Sequence, residues 1–156
     1  PGMKKSNKNG WHSKNDIYNM PEYKELVSLL FKMQNEIFKE EGLEPSPFIG
    51  NMWANINPKG GYNTSHIHSN SLWSGVYYVK TPNNCGKLGI KDPRTLSLMT
   101  LPRYDKPLKS YQWRQFYYEA VAGRCIMFPA WLKHFVEPNE SNDLRISISF
   151  NFLQKK

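Results

Sequence analysis

The sequence predicts a mainly β fold with one helix near the amino terminus. After Pro47 the chain breaks into short runs rich in β-branched and aromatic residues, with glycine, proline or asparagine between them. Only one stretch, before these runs, repeats its apolar residues at helical spacing. The chain has 156 residues, of which 39% are apolar, so we expect one domain over residues 1–156. The predicted strands are 48–57, 72–80, 86–91, 115–122, 124–129 and 144–153.

The predicted helix covers residues 21–41. Pro21 suits the first turn of a helix, and Gly42 suits the position just after its end. The apolar residues at helical spacing would pack on the outer face of a sheet, because the sequence contains no second helix of similar strength. They are Tyr23, Leu26, Leu30, Met33 and Ile37. Residues 1–19 are polar and rich in turn-forming side chains, which predicts an extended N-terminal segment.

The last predicted strand alternates polar and apolar residues. Successive side chains of a strand point to opposite faces, so one face would enter a core and the other would meet a polar environment. The polar face carries Arg145, Ser147, Ser149 and Asn151. This pattern fits either a strand that lines a cavity or an ordinary strand with one face in solvent.

Composition and charge narrow the range of functions. Cys85 and Cys125 form no CxxC pair, which argues against a disulfide framework or a cysteine zinc site and favours the cytoplasm. No apolar run approaches the ~20 residues that span a bilayer, and the start lacks the apolar stretch of a signal peptide. We therefore expect no membrane association. The net charge is +8, but lysines cluster at both ends without a nucleic-acid-binding motif, so we expect no nucleic-acid partner.

Three of the four histidines have the spacing of a metal site. His66 and His68 lie two residues apart, so on a strand both imidazoles would point at one spot. His134, from a distant part of the chain, would complete a triangle of ligands and leave one side of a metal open for substrate or oxygen. Imidazole ligands suit iron, zinc, copper or nickel.

The chain contains, in this order, Gly10-Trp11-His12-Ser13, then His66 and His68 followed by 74–79, Asp92-Pro93-Arg94, Phe128-Pro129-Ala130-Trp131-Leu132 with His134, and 145–151. In their order and spacing these segments resemble the 2-oxoglutarate and Fe(II) oxygenases related to prolyl 4-hydroxylases, many of them small bacterial or phage proteins. The resemblance implies a double-stranded β-helix, a jelly-roll barrel like that of cupins, over residues 48–153. It also implies hydroxylation of an amino-acid, peptidyl or small-metabolite C–H bond with Fe(II), 2-oxoglutarate and O2, releasing succinate and CO2.

The same resemblance assigns roles to individual residues. His66, His68 and His134 would be the catalytic metal ligands. Arg145, eleven positions after His134, would pair with the distal carboxylate of 2-oxoglutarate, because its planar fork matches a carboxylate. Ser147 would add a hydroxyl on the same strand face. Two further residues complete the implied cosubstrate pocket: Tyr78 from the neighbouring strand, and Asn55 facing the ketoacid end.

The chain departs from the resemblance at His68, where the wider superfamily has an aspartate or glutamate. No acidic residue occurs between Glu44 and Asp92 to replace it. Asp92 itself, in Asp-Pro-Arg, favours a turn with an internal ion pair to Arg94. Three neutral imidazoles leave Fe(II) with its full double charge, which attracts the dianionic cosubstrate more strongly.

Two other classes of function therefore stay open. One is a cupin-like three-histidine dioxygenase that uses the same metal triangle without a ketoacid and has no need of Arg145. The other is a non-catalytic binding barrel, in which the histidines hold a structural metal or none. The substrate depends on loops such as 92–114, whose conformation the sequence does not determine.

Overall fold

The computed structural model describes residues 2–44, 47–94, 99 and 102–154. Within these residues, ten strands form two five-stranded sheets in which every neighbouring pair is antiparallel. The strands are β1 (Asn7–Lys8), β2 (Trp11–His12), β3 (Pro47–Asn57), β4 (Tyr62–His66), β5 (Trp73–Lys80), β6 (Leu88–Lys91), β7 (Gln115–Tyr118), β8 (Cys125–Pro129), β9 (His134–Val136) and β10 (Arg145–Gln154). The prediction of a mainly β fold with one N-terminal helix is confirmed.

The order of strands in each sheet differs from their order in the chain. One sheet runs β2-β3-β10-β5-β8 and the other runs β1-β4-β9-β6-β7. Among the described strands, only β2–β3 and β6–β7 are neighbours both in the chain and in a sheet, and most other connections cross from one sheet to the other. The N-terminal segment takes part in both sheets, since β1 pairs with β4 and β2 pairs with β3.

The central strand of the first sheet is β10, which pairs with β3 on one side and β5 on the other. Its apolar residues Ile148, Phe150 and Phe152 are buried on one face. Its polar residues Arg145 and Ser147 are buried on the other face, inside the barrel. The alternation in the sequence thus separates a hydrophobic core from a polar interior, and of the two interpretations left open above, the cavity-lining strand is confirmed.

One helix, α1 (Lys24–Glu40), packs on the outer face of this sheet. A 3₁₀ turn at Pro21–Tyr23 precedes it, so the segment predicted as one helix begins with a tighter turn. After the helix, Gly42 adopts φ +66°, a left-handed conformation that glycine tolerates at helix ends. The predicted docking of the helix on a sheet is confirmed.

The buried row of α1 is rotated slightly from the predicted stripe. Leu30, Gln34 and Phe38 are fully buried, at four-residue intervals, whereas Met33 and Ile37 are only half-buried. Leu30 joins a core cluster with residues from the sheet and the N-terminal segment. The other buried members are Ile17, Ile49, Met52, Ile148, Phe150 and Phe152.

A second hydrophobic cluster consists of side chains from both sheets and lies beside the cavity. Its buried members are Val76 and Tyr78 from β5, Leu88 and Ile90 from β6, and Phe128 from β8. Four of these side chains, those of Val76, Tyr78, Leu88 and Phe128, also line the cavity. The polar residues of β10 therefore face a closed space and not solvent.

Four strands were missing from the sequence prediction. β4 contains one large apolar residue in the run Tyr-Asn-Thr-Ser-His, and β9 has only three residues. β1 and β2 lie in the N-terminal segment, which was predicted to be extended but was not assigned a strand. Such short or polar strands lack the apolar alternation that predicts a strand from sequence. The predicted strand 115–122 also ends early, at Tyr118. None of the described helices is long and apolar enough to cross a membrane.

The packing of α1 predicts a large difference between two adjacent leucines. Leu30 is 1% exposed and Leu29 is 53% exposed. Leu30→Ala should lower the free energy of unfolding by ~2–5 kcal/mol, because it removes core contacts and leaves a cavity. Leu29→Ala should change it by less than ~0.5 kcal/mol. Urea denaturation of both variants measures this, and equal losses would contradict the docking of the helix.

Candidate metal centre and cosubstrate pocket

Three imidazoles converge at one end of the barrel. His66 is the last residue of β4 and His134 is the first residue of β9, and the two are paired across the ladder. His68 follows two residues after β4 ends. One nitrogen from each ring lies within 4.8 Å of the others, a separation from which small side-chain adjustments reach the ~2.1 Å bonds of a shared metal.

The expectation that His66 and His68 share a strand face is wrong, because the strand ends at His66. The backbone N–H of His68 donates to the carbonyl of Ala130 at 3.1 Å. His68 is therefore not part of the pairing between β4 and β9. The chain turns there, and Ile67 points outward with 49% exposure. The two rings still meet, with centroids 4.9 Å apart.

Two of the three imidazoles are oriented by backbone carbonyls. Nδ1 of His66 lies 2.7 Å from the oxygen of Thr64, and Nδ1 of His134 lies 2.9 Å from the oxygen of Leu132. A carbonyl only accepts, so each Nδ1 carries the proton and each Nε2 keeps its lone pair. This is the arrangement that holds a metal-binding histidine in the correct tautomer.

The surroundings keep all three rings uncharged at neutral pH. Burial, followed by the neighbouring His134 and His66, lowers the pKa of His68 to about 3. Burial, followed by His66, lowers the pKa of His134 to about 4. Burial also lowers the pKa of His66. Uncharged imidazoles have the lone pairs that a cation requires.

Among the described residues, no carboxylate joins the three histidines. Asp92 instead forms an ion pair with Arg94, whose Nη2 lies 2.5 Å from Oδ2. The carboxylate of Asp92 also accepts the backbone N–H of Arg94 at 2.9 Å. The predicted turn with an internal ion pair is confirmed, and Asp92 is engaged away from the histidines.

The same cavity contains a buried cation. Arg145, the first residue of β10, is 1% exposed. Its Nη1 donates to the carbonyls of Cys85 and of Glu137, the latter at 3.0 Å, and its Nη2 donates to the carbonyl of Gly61 at 3.3 Å. These three bonds fix the guanidinium against the loops at the closed end of the barrel.

Arg145 lines the cavity, and its guanidinium has N–H groups that the three carbonyls do not use. The three carbonyls use both Nη1–H groups and one Nη2–H, which leaves Nε–H and the second Nη2–H as a parallel fork. In the part of the chain that the structure describes, no carboxylate lies within ion-pair distance of Arg145. Burial lowers the pKa of this group, and a buried charge without a counter-ion is costly. The cavity is therefore suited to an anion.

Three further residues surround this fork. Ser147 follows on the same face of β10, with Tyr78 of β5 and Asn55 of β3 opposite it in the two ladders. Burial raises the pKa of Tyr78 to about 12, so its hydroxyl stays a donor. Asn55 donates to Oγ of Ser149 at 3.0 Å, and its buried Oδ1 has no partner among the described residues. All seven residues selected from the sequence line one cavity.

Two residues in or beside the site, Asn57 and Ser74, were not singled out from the sequence. Asn57 lies opposite Arg145, is 2% exposed, and lines the cavity. Its Nδ2 has no hydrogen-bond partner among the described residues. Asn151 continues the polar face of β10, and Ser74 lies opposite it on β5. The alternation along β10 already marked Asn151, whereas Asn57 and Ser74 become visible only through the register of the strands.

The metal centre separates this inner cavity from an outer mouth of about 400 Å³. His12 of β2 forms part of the mouth and stacks on Trp53, with ring centroids 5.3 Å apart and planes at 8°. Trp53 lines both spaces. Trp73, in contrast, packs against the core cluster beneath α1, and Trp131 is 61% exposed.

The facing sheets, with three histidines at the open end and a buried anion pocket behind them, define a metal-binding double-stranded β-helix protein. The chain belongs to the family described as "Putative 2OG-Fe(II) oxygenase", whose family model matches residues 51–151. No curated protein sequence matches the chain at a significant level. The resemblance noted in the sequence and the predicted fold class are thereby confirmed.

Solved structures share this fold at low sequence identity. A prolyl 4-hydroxylase from Pseudomonas putida is 15% identical, with a TM-score of 0.68 over 100% of this chain and 77% of its own. An oxidoreductase of the 2OG-Fe(II) oxygenase family from Burkholderia pseudomallei is 13% identical, with a TM-score of 0.64 over 88% of this chain and 60% of its own. The viral collagen prolyl hydroxylase of Paramecium bursaria Chlorella virus-1 is 14% identical, with a TM-score of 0.60 over 94% of this chain and 80% of its own. The chain thus spans less than two thirds of the length of the Burkholderia protein.

The geometry predicts that the fourth histidine is dispensable for metal binding. His66→Ala, His68→Ala and His134→Ala should each weaken Co(II) binding by more than ~100-fold, because losing a direct ligand costs more than losing an outer partner. His12→Ala, which removes a buried histidine outside the triangle, should leave the affinity within ~3-fold of the unchanged protein. Titration followed by the visible absorption of Co(II) measures both. Comparable loss in His12→Ala would contradict the assignment.

Proposed function

We propose that this protein is an Fe(II)- and 2-oxoglutarate-dependent oxygenase that hydroxylates a C–H bond of an amino acid, a peptide or a small metabolite. One observation carries the proposal. A buried guanidinium without a carboxylate partner among the described residues lies in the same cavity as three convergent imidazoles. A metal site alone would not need this cation, whereas a cosubstrate with a distal carboxylate would.

His66, His68 and His134 would hold the iron. The donor set fits, since imidazole is a normal ligand of Fe(II) and the Nε2 atoms of His66 and His134 are free to coordinate. When bound, the iron supplies oxidative chemistry in which 2-oxoglutarate is converted to succinate and CO2 while one oxygen atom of O2 enters the substrate. The protein's part is to position the reactants and to exclude water.

Arg145 would bind the distal carboxylate of 2-oxoglutarate through its Nε–H and its second Nη2–H. Tyr78 and Ser147 lie beside this fork and would add hydroxyl donors to the same carboxylate. Asn55 would face the ketoacid end, because it lies two residues along β3 from Asn57, the partner of Arg145 in the ladder. The chain thus offers polar side chains along the length of a five-carbon dicarboxylate.

The replacement of a carboxylate ligand by His68 changes the charge of the centre. Fe(II) with three neutral imidazoles keeps a charge of two, and the buried Arg145 adds a third positive charge to the same cavity. The dianionic cosubstrate would offset two of these three charges. The three-histidine set therefore attracts the cosubstrate more strongly than a set with a carboxylate ligand would.

The outer mouth would admit the substrate. Its lining includes Lys5 and the amides of Asn15 and Asn51, and it contains no acidic side chain among the described residues. The buried Oδ1 of Asn15 has no partner in the described part of the chain and is available to a donor on the substrate. A neutral or anionic polar substrate fits this lining better than a cation.

We also propose that the protein works in the cytoplasm of a bacterium or of a phage-infected cell. Cys85 and Cys125 are both free thiols. Burial raises the pKa of each thiol, that of Cys125 to about 11. Unreactive free thiols suit a reducing compartment.

Anaerobic titration tests the cosubstrate pocket directly. Fe(II) and 2-oxoglutarate together should give a visible charge-transfer band in the unchanged protein. Arg145→Lys keeps a positive charge but loses the fork, so 2-oxoglutarate should bind roughly 10- to 100-fold more weakly, the cost of a charge-assisted hydrogen bond.

Oxalate provides the matched control. It chelates a metal like the ketoacid end of the cosubstrate but is too short to reach Arg145, so its affinity should be the same in both proteins. Equal binding of 2-oxoglutarate by the unchanged protein and Arg145→Lys would rule out the pocket. A matching loss of oxalate affinity would instead mean that the substitution damaged the metal centre.

A further inference from the structure

His68 differs from the other two histidines in what its Nδ1 contacts. His66 and His134 each have a backbone carbonyl at Nδ1. Nδ1 of His68 instead lies 3.4 Å from the side-chain amide of Asn151. A carbonyl enforces one tautomer of imidazole, whereas an amide can present either a donor or an acceptor. The protonation site of His68 is therefore set by the orientation of Asn151.

Asn151 belongs to a chain of hydrogen bonds that runs across the sheet. Oγ of Ser74 donates to Oδ1 of Asn151 at 2.6 Å, and Nδ2 of Asn151 donates to Oδ1 of Asn51 at 2.6 Å. Ser74 is 1% exposed and Asn151 is 3% exposed, while Asn51 is half-buried and lines the outer mouth. We call Ser74, Asn151 and Asn51 the amide relay.

In the direction that the structure shows, the relay is incompatible with coordination by His68. Asn151 presents Nδ2–H to the ring, so Nδ1 of His68 accepts and the ring proton resides on Nε2. With Nδ1 engaged by Asn151, Nε2 is the nitrogen left for a metal. A protonated Nε2 has no lone pair to give.

Reversing the relay removes this conflict without breaking a hydrogen bond. If the Asn151 amide turns over, Oδ1 accepts from Nδ1–H of His68 and Nδ2 donates to Oγ of Ser74, which can accept as well as donate. Asn51 then turns its own amide and donates Nδ2–H to Oδ1 of Asn151. Its position at the mouth leaves room for that rotation.

We propose that Asn151 is a positioning residue that selects the metal-binding state of His68, and that the amide relay reverses when the metal binds. This inference rests on the proposed metal centre. His68 occupies the position of the carboxylate ligand of related oxygenases, and it alone among the three ligands lacks a fixed tautomer. The relay would thus determine which ring nitrogen of His68 carries the proton, as the backbone carbonyls do at His66 and His134.

Two isosteric substitutions test the proposal with opposite signs. Asn151→Asp can only accept, so it holds the proton on Nδ1 of His68, and Co(II) should bind as tightly as in the unchanged protein or up to ~10-fold more tightly. Asn51→Asp can also only accept, but it holds Nδ2 of Asn151 in its present direction, so Co(II) should bind more weakly. Asn151→Leu, which removes the partner altogether, should bind ~10- to 100-fold more weakly.

The two aspartate variants separate this relay from simple attraction. Both add a negative charge near the cation, so Coulomb forces alone would strengthen binding in both. If Asn51→Asp binds Co(II) more tightly than the unchanged protein, or if Asn151→Asp binds more weakly, the relay is wrong. Thermal unfolding confirms that the variants are folded. If the unchanged protein itself binds no Co(II), the metal centre fails and this inference fails with it.

Nuclear magnetic resonance of the imidazole nitrogens gives a second readout that needs no activity. In the metal-free protein, His66 and His134 should carry the proton on Nδ1, and His68 should carry it on Nε2. After saturation with diamagnetic Zn(II), all three should carry it on Nδ1. A proton on Nδ1 of His68 in the metal-free protein would overturn the proposed reversal.

Discussion

The pairing of β10 with β3 on one side and β5 on the other is the constraint on which the core and the cavity both depend. Because side chains alternate along a strand, this single register sends Ile148 and Phe150 towards α1 and sends Arg145 and Ser147 inward. A shift by one residue would exchange the two faces and bury isoleucine in the pocket. The site is therefore built by the same interaction that closes the hydrophobic core.

Electrostatics explains why the inner cavity needs a ligand. Arg145 is fully buried, its three carbonyl partners are neutral, and the three imidazoles are uncharged. The protein thus surrounds a space with one cation at its closed end and room for a second at its open end. A dianion that bridges the two would offset most of their combined positive charge, which is how the pocket and the metal centre support each other.

The sequence predicted the fold class, the helix and the β10 alternation, since each depends on local periodicity or on a motif, and the seven residues selected from it lie around one cavity. It did not predict β4 and β9, which are too short and polar to show alternation, nor the loop position of His68. The amide relay could not be predicted from the sequence either. Ser74 and Asn51 become neighbours of Asn151 only through the register of three strands. The order of residues in the sequence also does not determine which group in a hydrogen bond is the donor.

The central claim is that three imidazoles bind one Fe(II). X-ray absorption at the iron edge, on protein loaded anaerobically with Fe(II) and 2-oxoglutarate, tests it most directly. Three coordinated histidines would give outer-shell scattering from three imidazole rings, with the remaining ligands being oxygen atoms of the cosubstrate and water. Scattering from two rings or fewer, with the affinity for iron intact, would contradict it and exclude His68 as a ligand.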